Sequence, residues 1–283
     1  MRLFILGLGY SARHFIRRFS GNFSHVAGTV RDPATRDDLV GIELHGFAGS
    51  RPADATVDLI READILLVCI PPGSSGDPAL AAFGDVLAEG CRKVIYLSTI
   101  GVYGDHAGGW VDESTPPQSS LDRARMRVAA EQAWTETVHG NVAILRLAGI
   151  YGPGRNALVT LHGGTARRII KPGQVFNRIH VDDIASAIMA AINHRNGGTW
   201  NICDDEPAPP QDVIAYAAQL MGIAPPAEEA FATADMSAMA RSFYASSARV
   251  SNAKLKRQLG VTLAYPTYRH GLDALWRDDE LRK

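Results

Sequence analysis

Short runs of apolar residues recur along the chain, and each is too short to be anything but a strand. Six such runs occupy residues 3–6, 25–30, 41–47, 64–70, 93–97 and 142–147, the third being the weakest. Between the first two, Phe15, Ile16 and Phe19 share one face of a helical pattern while Arg13 and Arg17 face water. Strands buried on both faces are typical of a parallel sheet covered by helices. The pattern therefore predicts an α/β protein with a doubly wound, mostly parallel sheet.

The remaining pattern predicts further helices and a weaker second half. Helical spacing marks residues 54–62, 78–89, 119–138, 181–194, 210–221 and 252–259, and a last strand covers 199–202. Asp54 stands where a helix cap is expected. The acidic, Ala-rich segment 225–240 is predicted to be a surface excursion.

A glycine-rich turn joins the first strand to the first helix. It reads Gly7-Leu8-Gly9-Tyr10-Ser11-Ala12, a G-x-G-x-x-A pattern inside a strand, helix, strand unit. In such a unit Gly7 makes the tight turn, Gly9 lets a pyrophosphate approach the backbone, and Ala12 lets the helix pack on the strand. The helix start at Tyr10 and Ser11 then offers N–H groups and a positive dipole end to phosphates. We predict a dinucleotide site here; the alternative is a tight turn without a ligand.

The ends of the second and fourth strands bear on which dinucleotide binds. Arg31 is the first charged residue after the second strand, with Arg36 further on and Asp32 between them. An Arg at this place suits the 2′-phosphate of NADP, whereas an acidic residue suits NAD. We therefore predict NADP, with NAD as the alternative, unless Arg31 is a solvated loop residue. Ile70 and Pro71 leave the fourth strand on the same ligand side of the sheet.

Composition narrows the class of protein. The 283 residues are 46% hydrophobic and 21% charged, with a net charge of -1, which gives no reason to expect nucleic acid or a membrane surface as partner. Cys69, Cys91 and Cys203 are far apart and odd in number, so we expect reduced core thiols in a cytoplasmic protein and no metal site. No apolar run approaches the roughly 20 residues of a membrane span, and the first run is too short for a signal peptide.

Four later segments together resemble a known family. They are Ser98-Thr99-Ile100-Gly101-Val102-Tyr103-Gly104-Asp105, 145–155 (LRLAGIYGPGR), 178–185 (RIHVDDIA) and 201–207 (NICDDEP). This order resembles the extended short-chain dehydrogenase/reductases, the NAD-dependent epimerase/dehydratase family. The resemblance implies a Rossmann-type NAD(P) domain over 1–154 and a smaller C-terminal α/β substrate lobe over 155–283, with segments returning to the main sheet. It also implies a small-molecule substrate.

The sequence differs from the family pattern at the catalytic positions. Thr99 matches the family's Ser/Thr, but Arg127 stands at the position of the family's Lys and Arg123 at that of its Tyr. Arg can hold the nicotinamide ribose yet cannot exchange a proton, because its pKa lies above about 12. The helix has no tyrosine, and Ile100 and Gly101 replace the dehydratase Asp-Glu pair. Family-type dehydration is therefore not expected, and a non-standard proton-transfer group is.

Three side chains are candidates for that group. Tyr103 ranks first, because a phenol in the loop after Thr99 suits proton transfer. His180 and Tyr151 are expected near the same cleft, and His180 titrates near neutral pH. Each has a structural alternative, since all three lie in family segments where their role is positional.

Arginines suggest the charge of the substrate. Arg123 and Arg127, four apart, share one helix face, where they either bind cofactor and anionic substrate or form a solvated face with Arg127 paired to Glu131. Further candidate anion contacts are Arg155, Arg167, Arg168 and Arg178. Together they suggest a phosphate-bearing substrate such as a nucleotide sugar; the alternative for any one of them is a solvated surface residue.

The sequence leaves two functions open. One is an NAD(P)-dependent oxidoreductase or epimerase-like enzyme, and the other is a cofactor-binding sensor or partner-binding protein that has lost catalysis. Small apolar residues on the helix 119–138, Val128, Ala129 and Ala133, make a homodimer plausible.

Overall fold

The fold is built on one parallel sheet. The computed structural model describes residues 1–35, 39–49, 52–89, 93–279 and 281. Its strands are β1 (Arg2–Leu6), β2 (His25–Val30), β3 (Glu43–Gly46), β4 (Ile65–Val68), β5 (Val94–Thr99), β6 (Trp110–Val111), β7 (Val142–Leu147), β8 (Gly149–Tyr151), β9 (Arg168–Ile170), β10 (Arg178–His180), β11 (Gly198–Ile202), β12 (Glu228–Ala230) and β13 (Arg249–Val250). Seven of them form the main sheet in the order β11-β7-β5-β4-β1-β2-β3. All pairs in it are parallel, which confirms the predicted doubly wound α/β fold.

Helices connect these strands. They are α1 (Tyr10–Phe19), α2 (Asp54–Glu62), α3 (Pro78–Ala88), α4 (Asp122–Thr137), α5 (Ala157–His162), α6 (Val181–Asn193), α7 (Pro210–Leu220), α8 (Ala238–Phe243), α9 (Ala253–Leu259) and α10 (Tyr268–Arg277).

Alternation along β1 explains why the sheet is covered on both faces. Leu3 and Ile5 belong to a core cluster with Phe15 of α1 and Ile184 of α6. Phe4 and Leu6, which point the opposite way, belong to the cluster on the α2, α3 and α4 side. The continuous apolar run is therefore required, because neither face of the strand meets water.

The strand order also fixes where a ligand can bind. Strand β1 lies between β2 and β4, so the chain winds in opposite directions from this point. In open α/β sheets the crevice at such a reversal, outside the carboxyl ends of the strands, is the ligand site. The turn after β1 and the loop after β4 both open there.

The second half of the chain forms smaller units, two of them with short strands from the first half, and returns once to the main sheet. Strands β8 and β10 pair, as do β9 and β12, and β6 and β13. Helices α5, α7 and α10 share a separate core. Strand β11 pairs with β7 in the main sheet, so the half after residue 154 is not independent of the first.

Several sequence expectations are corrected in detail. Ala53, and not Asp54, is the N-cap of α2, and Asp54 is its first helical residue. The segment 225–240 is more than a surface excursion, since it contains β12 and the start of α8. Helix α10 was not predicted, although Tyr268, Leu272 and Leu275 are spaced as a buried face. Arg36 and Cys91 lie outside the described residues. Of the helices in the described ranges, none combines the length and the apolar character that a bilayer crossing requires.

Candidate functional site

Gly7 forms the tight turn at the end of β1. Its φ of +94° is in the left-handed region, and a Cβ there would lie 2.6 Å from Ile70 Cγ2. Its N–H donates to Thr29 Oγ1 at 3.0 Å, which ties the turn to β2. A side chain at this position would therefore be strained and would push the loop after β4 away.

Gly9 faces open space at the start of α1. It is the N-cap residue, and a Cβ added to it would meet nothing within 4 Å. Behind it, Ser11 and Ala12 are buried, and Ala12 packs in the core against β1. The helix N-terminus therefore carries positive dipole charge beside an uncrowded backbone, the geometry that accepts a pyrophosphate.

The neighbouring strand ends surround this turn. Ile70 is half-buried against Gly7, and Pro71 next to it is exposed. Arg31 is exposed directly after β2. Tyr10 donates from its hydroxyl to Pro153 O at 2.9 Å, and the guanidinium carbon of Arg155 lies 5.9 Å from the centre of the Tyr10 ring. The loop after β8 thus comes close to the start of α1.

Arg127 is held at the carboxyl end of β5. Its Nη1 donates to Leu97 O at 2.9 Å and to Tyr96 Oη at 3.0 Å. Burial raises the pKa of Tyr96 to about 12, so this phenol remains neutral beside the guanidinium. Arg127 makes no ion pair within the described part of the chain, so no carboxylate there neutralises its charge at the end of β5.

Glu131 has a different partner from the one that helical spacing indicates. It forms a buried ion pair with Arg146 of β7, at 2.7 Å from Nη2 to Oε2, and also accepts from Ser98 Oγ at 2.5 Å. The pairing of Arg127 with Glu131 is therefore wrong. The network locks α4 to β5 and β7 below the edge where the site lies.

Tyr103 is part of that buried network. Its hydroxyl donates to Asn201 Oδ1 at 2.8 Å and accepts from Arg146 Nη1 at 3.0 Å. The side chain is 1% exposed, and burial raises its pKa. A phenol with both hydrogen-bonding directions occupied inside the core favours the structural alternative over proton transfer.

Thr99 remains accessible at the end of β5. It is half-buried, and its Oγ1 accepts from Gly101 N at 3.1 Å, which caps the turn 100–103. The hydroxyl proton is not used in that bond, so it can be donated to a substrate oxygen.

His180, Tyr151 and Arg178 come together where β8 and β10 pair. The rings of Tyr151 and His180 lie 5.2 Å apart, and His180 is 2% exposed. Burial lowers the pKa of His180 to about 4, so the imidazole is neutral at pH 7. Burial also raises the pKa of Tyr151 and lowers that of Arg178, whose Nη1 donates to Phe176 O and Ala208 O.

Asp204 is an ionisable group beside these residues that sequence reasoning did not single out. It is 2% exposed, and burial raises its pKa to about 8. Its Oδ1 accepts from Glu206 N at 3.2 Å. The sequence signal that could have singled out Asp204 was its position in the family-like segment 201–207.

The other arginines divide into paired and unpaired groups. Arg167 pairs with Glu229, and Arg168 pairs with Glu228, so carboxylates within the fold neutralise both charges. Arg123 instead contacts α8 through Ser242 and Phe243. No carboxylate in the described part of the chain forms an ion pair with Arg123, and its role at the site stays a prediction.

These features define a Rossmann-type α/β protein with an uncrowded helix N-terminus at the switch point of its sheet. The model of the NAD dependent epimerase/dehydratase family matches residues 79–203. Protein YeeZ of Escherichia coli strain K12 is 34% identical over 239 residues, covering 78% of this chain and 84% of that protein. The chain belongs to the NAD-dependent epimerase/dehydratase family, which confirms the resemblance.

Two solved structures extend the comparison. A functionally unknown conserved protein from Silicibacter pomeroyi is 46% identical, with a TM-score of 0.91 and 99% of each chain covered. UDP-glucuronic acid 4-epimerase from Bacillus cereus, in complex with NAD, is 18% identical, with a TM-score of 0.77, covering 98% of this chain and 96% of that one. The second similarity shows that the fold is shared.

Proposed function

We propose that this protein is an NAD(P)-dependent oxidoreductase or epimerase-like enzyme acting on a small polar substrate, of which a nucleotide sugar is the leading example. The observation that carries the proposal is the open space at Gly9 at the start of α1. The half-buried Thr99 and the unpaired charge of Arg127 support it. Membership of an enzyme family, and a similar fold in an epimerase that binds NAD, support it over a non-catalytic sensor.

NADP is the proposed cofactor, with NAD as the alternative. Gly7, Gly9, Tyr10, Ser11 and Ala12 would hold the pyrophosphate, and Ile70 and Pro71 would line the adjacent crevice. Arg31, exposed at the end of β2, would pair with the 2′-phosphate. Arg127 would donate to the nicotinamide ribose. When bound, the cofactor supplies a carbon that gives or takes hydride.

The chain must then manage the proton at the substrate oxygen. Thr99 donates its hydroxyl hydrogen bond to that oxygen, and Arg127 stabilises negative charge developing there. Tyr103 and His180 are poor proton sources, because the first is enclosed in hydrogen bonds and the second is neutral and buried. We propose that the substrate oxygen exchanges its proton with the Thr99 hydroxyl. Thr99 in turn exchanges a proton with a bound water molecule and so with solvent.

The substrate would lie between this edge and the second half of the chain. Arg155 is exposed and close to Tyr10, so it can reach an anionic group on either ligand. Arg123 contributes a second cation. The buried Tyr151 and His180 and the half-buried Arg178 would shape the site from below.

The experiment is a calorimetric titration of NADPH and NADH into the wild type and two variants. Gly9→Val puts a branched side chain where the pyrophosphate must lie, so binding should disappear while the fold remains. Gly21→Val is the matched control, because Gly21 follows the other end of α1 and a Cβ there also meets nothing within 4 Å. Binding of NADPH by Gly9→Val at wild-type affinity would contradict the proposed cofactor site.

Catalysis is tested separately with the cofactor bound. The wild type should oxidise or reduce cofactor, or epimerise substrate, with at least one member of a panel of sugar nucleotides and small carbonyl compounds. Thr99→Val should then slow turnover by about 10²–10⁴-fold, as expected for lost proton-transfer help, with little change in cofactor affinity. Tight NADPH binding without any turnover across the panel would instead support the sensor.

A further inference from the structure

Arg123 connects the sheet's helix α4 to helix α8 of the second half. It lies one helical turn before Arg127, so both side chains leave the same face of α4. Its Nη1 donates to Ser242 Oγ at 2.6 Å and lies 3.5 Å from Met239 Sδ. Its guanidinium carbon lies 4.6 Å from the centre of the Phe243 ring. Arg123 therefore joins α4, which also carries Arg127, to α8.

The charge of Arg123 has no counter-charge. Among the residues that the structure describes, no carboxylate forms an ion pair with it, and its hydrogen bonds go to neutral groups. Arg125, exposed on the same helix, pairs with Asp122 instead. A half-buried cation that lacks an acidic partner gains more from an incoming anion than a fully hydrated one does.

The apolar residues beside Arg123 are unusually exposed. Met239 is 61% exposed and Phe243 is 55% exposed. Helix α8, which carries them, is fixed from its other side, because Arg241 donates to Phe231 O and to Ala234 O. Because these hydrogen bonds anchor α8, Met239 and Phe243 stay exposed on its outer side. A ligand ring placed against them would remove apolar surface from water.

We propose that Arg123, Met239 and Phe243 form the outer part of the substrate site and select a substrate that carries both an anionic group and a planar ring. The anion pairs with Arg123, and the ring packs on Phe243 and Met239. The inference rests on the proposed function, because it assigns the end of the substrate that lies away from Thr99. A nucleoside diphosphate and an aromatic carboxylate both carry this chemistry.

The test measures binding without cofactor, using UDP, 4-hydroxybenzoate and the neutral 4-hydroxybenzamide as probes. Arg123→Gln should weaken binding of the favoured anionic probe by about tenfold or more, the range expected for a hydrogen bond to a charged group. It should leave the benzamide unaffected. Arg125→Gln is the matched control and should bind every probe as the wild type does.

A second variant separates the ring from the charge. Phe243→Ala should weaken the ring-bearing probes and leave binding of inorganic phosphate unchanged. Tighter binding of UDP identifies a nucleotide substrate, and tighter binding of 4-hydroxybenzoate identifies an aromatic acid. Equal affinities in Arg123→Gln and Arg125→Gln, or no binding of either anionic probe by the wild type, would overturn the assignment.

The proposed function fails independently of this result. If the wild type binds NADPH but Arg123→Gln binds the anionic probes as tightly as the wild type does, the outer site alone is overturned. One that binds the anionic probes through Arg123 but not NADPH overturns the proposed function alone.

Discussion

The buried pair of Glu131 and Arg146 gives a prediction whose magnitude follows from the structure. The two side chains are 6% and 8% exposed, and Glu131 also accepts from Ser98. Glu131→Gln keeps the shape of the side chain but leaves the guanidinium of Arg146 without a counter-charge. Removing one partner of a buried ion pair costs about 3–5 kcal/mol of unfolding free energy.

Urea unfolding followed by circular dichroism measures this loss. With a urea dependence of about 3 kcal/mol per molar, the midpoint should fall by about 1–1.7 M. Glu136→Gln is the control, because Glu136 is exposed on the same helix and should change stability by less than about 0.5 kcal/mol.

A double variant tests the physical reason. Glu131→Gln combined with Arg146→Met removes both charges, so it should be more stable than the sum of the two single losses implies. A loss no larger than that of the control, or strict additivity in the double variant, would refute the view that this pair locks α4 to the sheet.

Three further predictions concern the cofactor, pH dependence and assembly. Wild type should bind NADPH more tightly than NADH in calorimetry, and Arg31→Ala should cost about 1.5–3 kcal/mol with NADPH only; equal wild-type affinities would exclude the Arg31 contact. Burial raises the pKa of Asp204 to about 8, so the folded state binds this proton more strongly than the unfolded state, and stability should fall as pH rises from about 4 to about 8. The melting temperature should therefore fall less between pH 6.5 and 8.5 in Asp204→Asn than in the wild type. The exposed control Asp205→Asn should show the same fall as the wild type. We predict a homodimer through α4, so light scattering should give twice the chain mass and Ala129→Arg should give the monomer; a wild type that is monomeric at all concentrations would contradict this.

Much of the fold could be predicted because its signals are local. Strand β7 matches the apolar run 142–147, and Gly7 adopts the positive φ that its place in the turn requires. The turn at Gly7 depends on a few neighbouring residues, and the apolar run of β7 depends on whether the faces of the strand meet water. Helix α10 was missed for a related reason: polar residues, among them Arg269, His270 and Asp273, separate its four buried positions.

The candidate site was less predictable, because its contacts cross the chain. Local spacing pairs Glu131 with Arg127, yet the sheet brings Arg146 closer from β7. Tyr103 is suited to proton transfer by chemistry alone, but its hydroxyl meets Asn201, 98 residues away.

The sequence by itself determined the parallel sheet and the glycine-rich turn at the end of β1. These follow from periodic burial and from backbone freedom at Gly7, which act over a few residues. Only the tertiary structure decided which charges are neutralised and which polar groups are enclosed. Arg123 reaches Ser242 across 119 residues. Such pairings depend on the distance between side chains after packing, which no local pattern encodes.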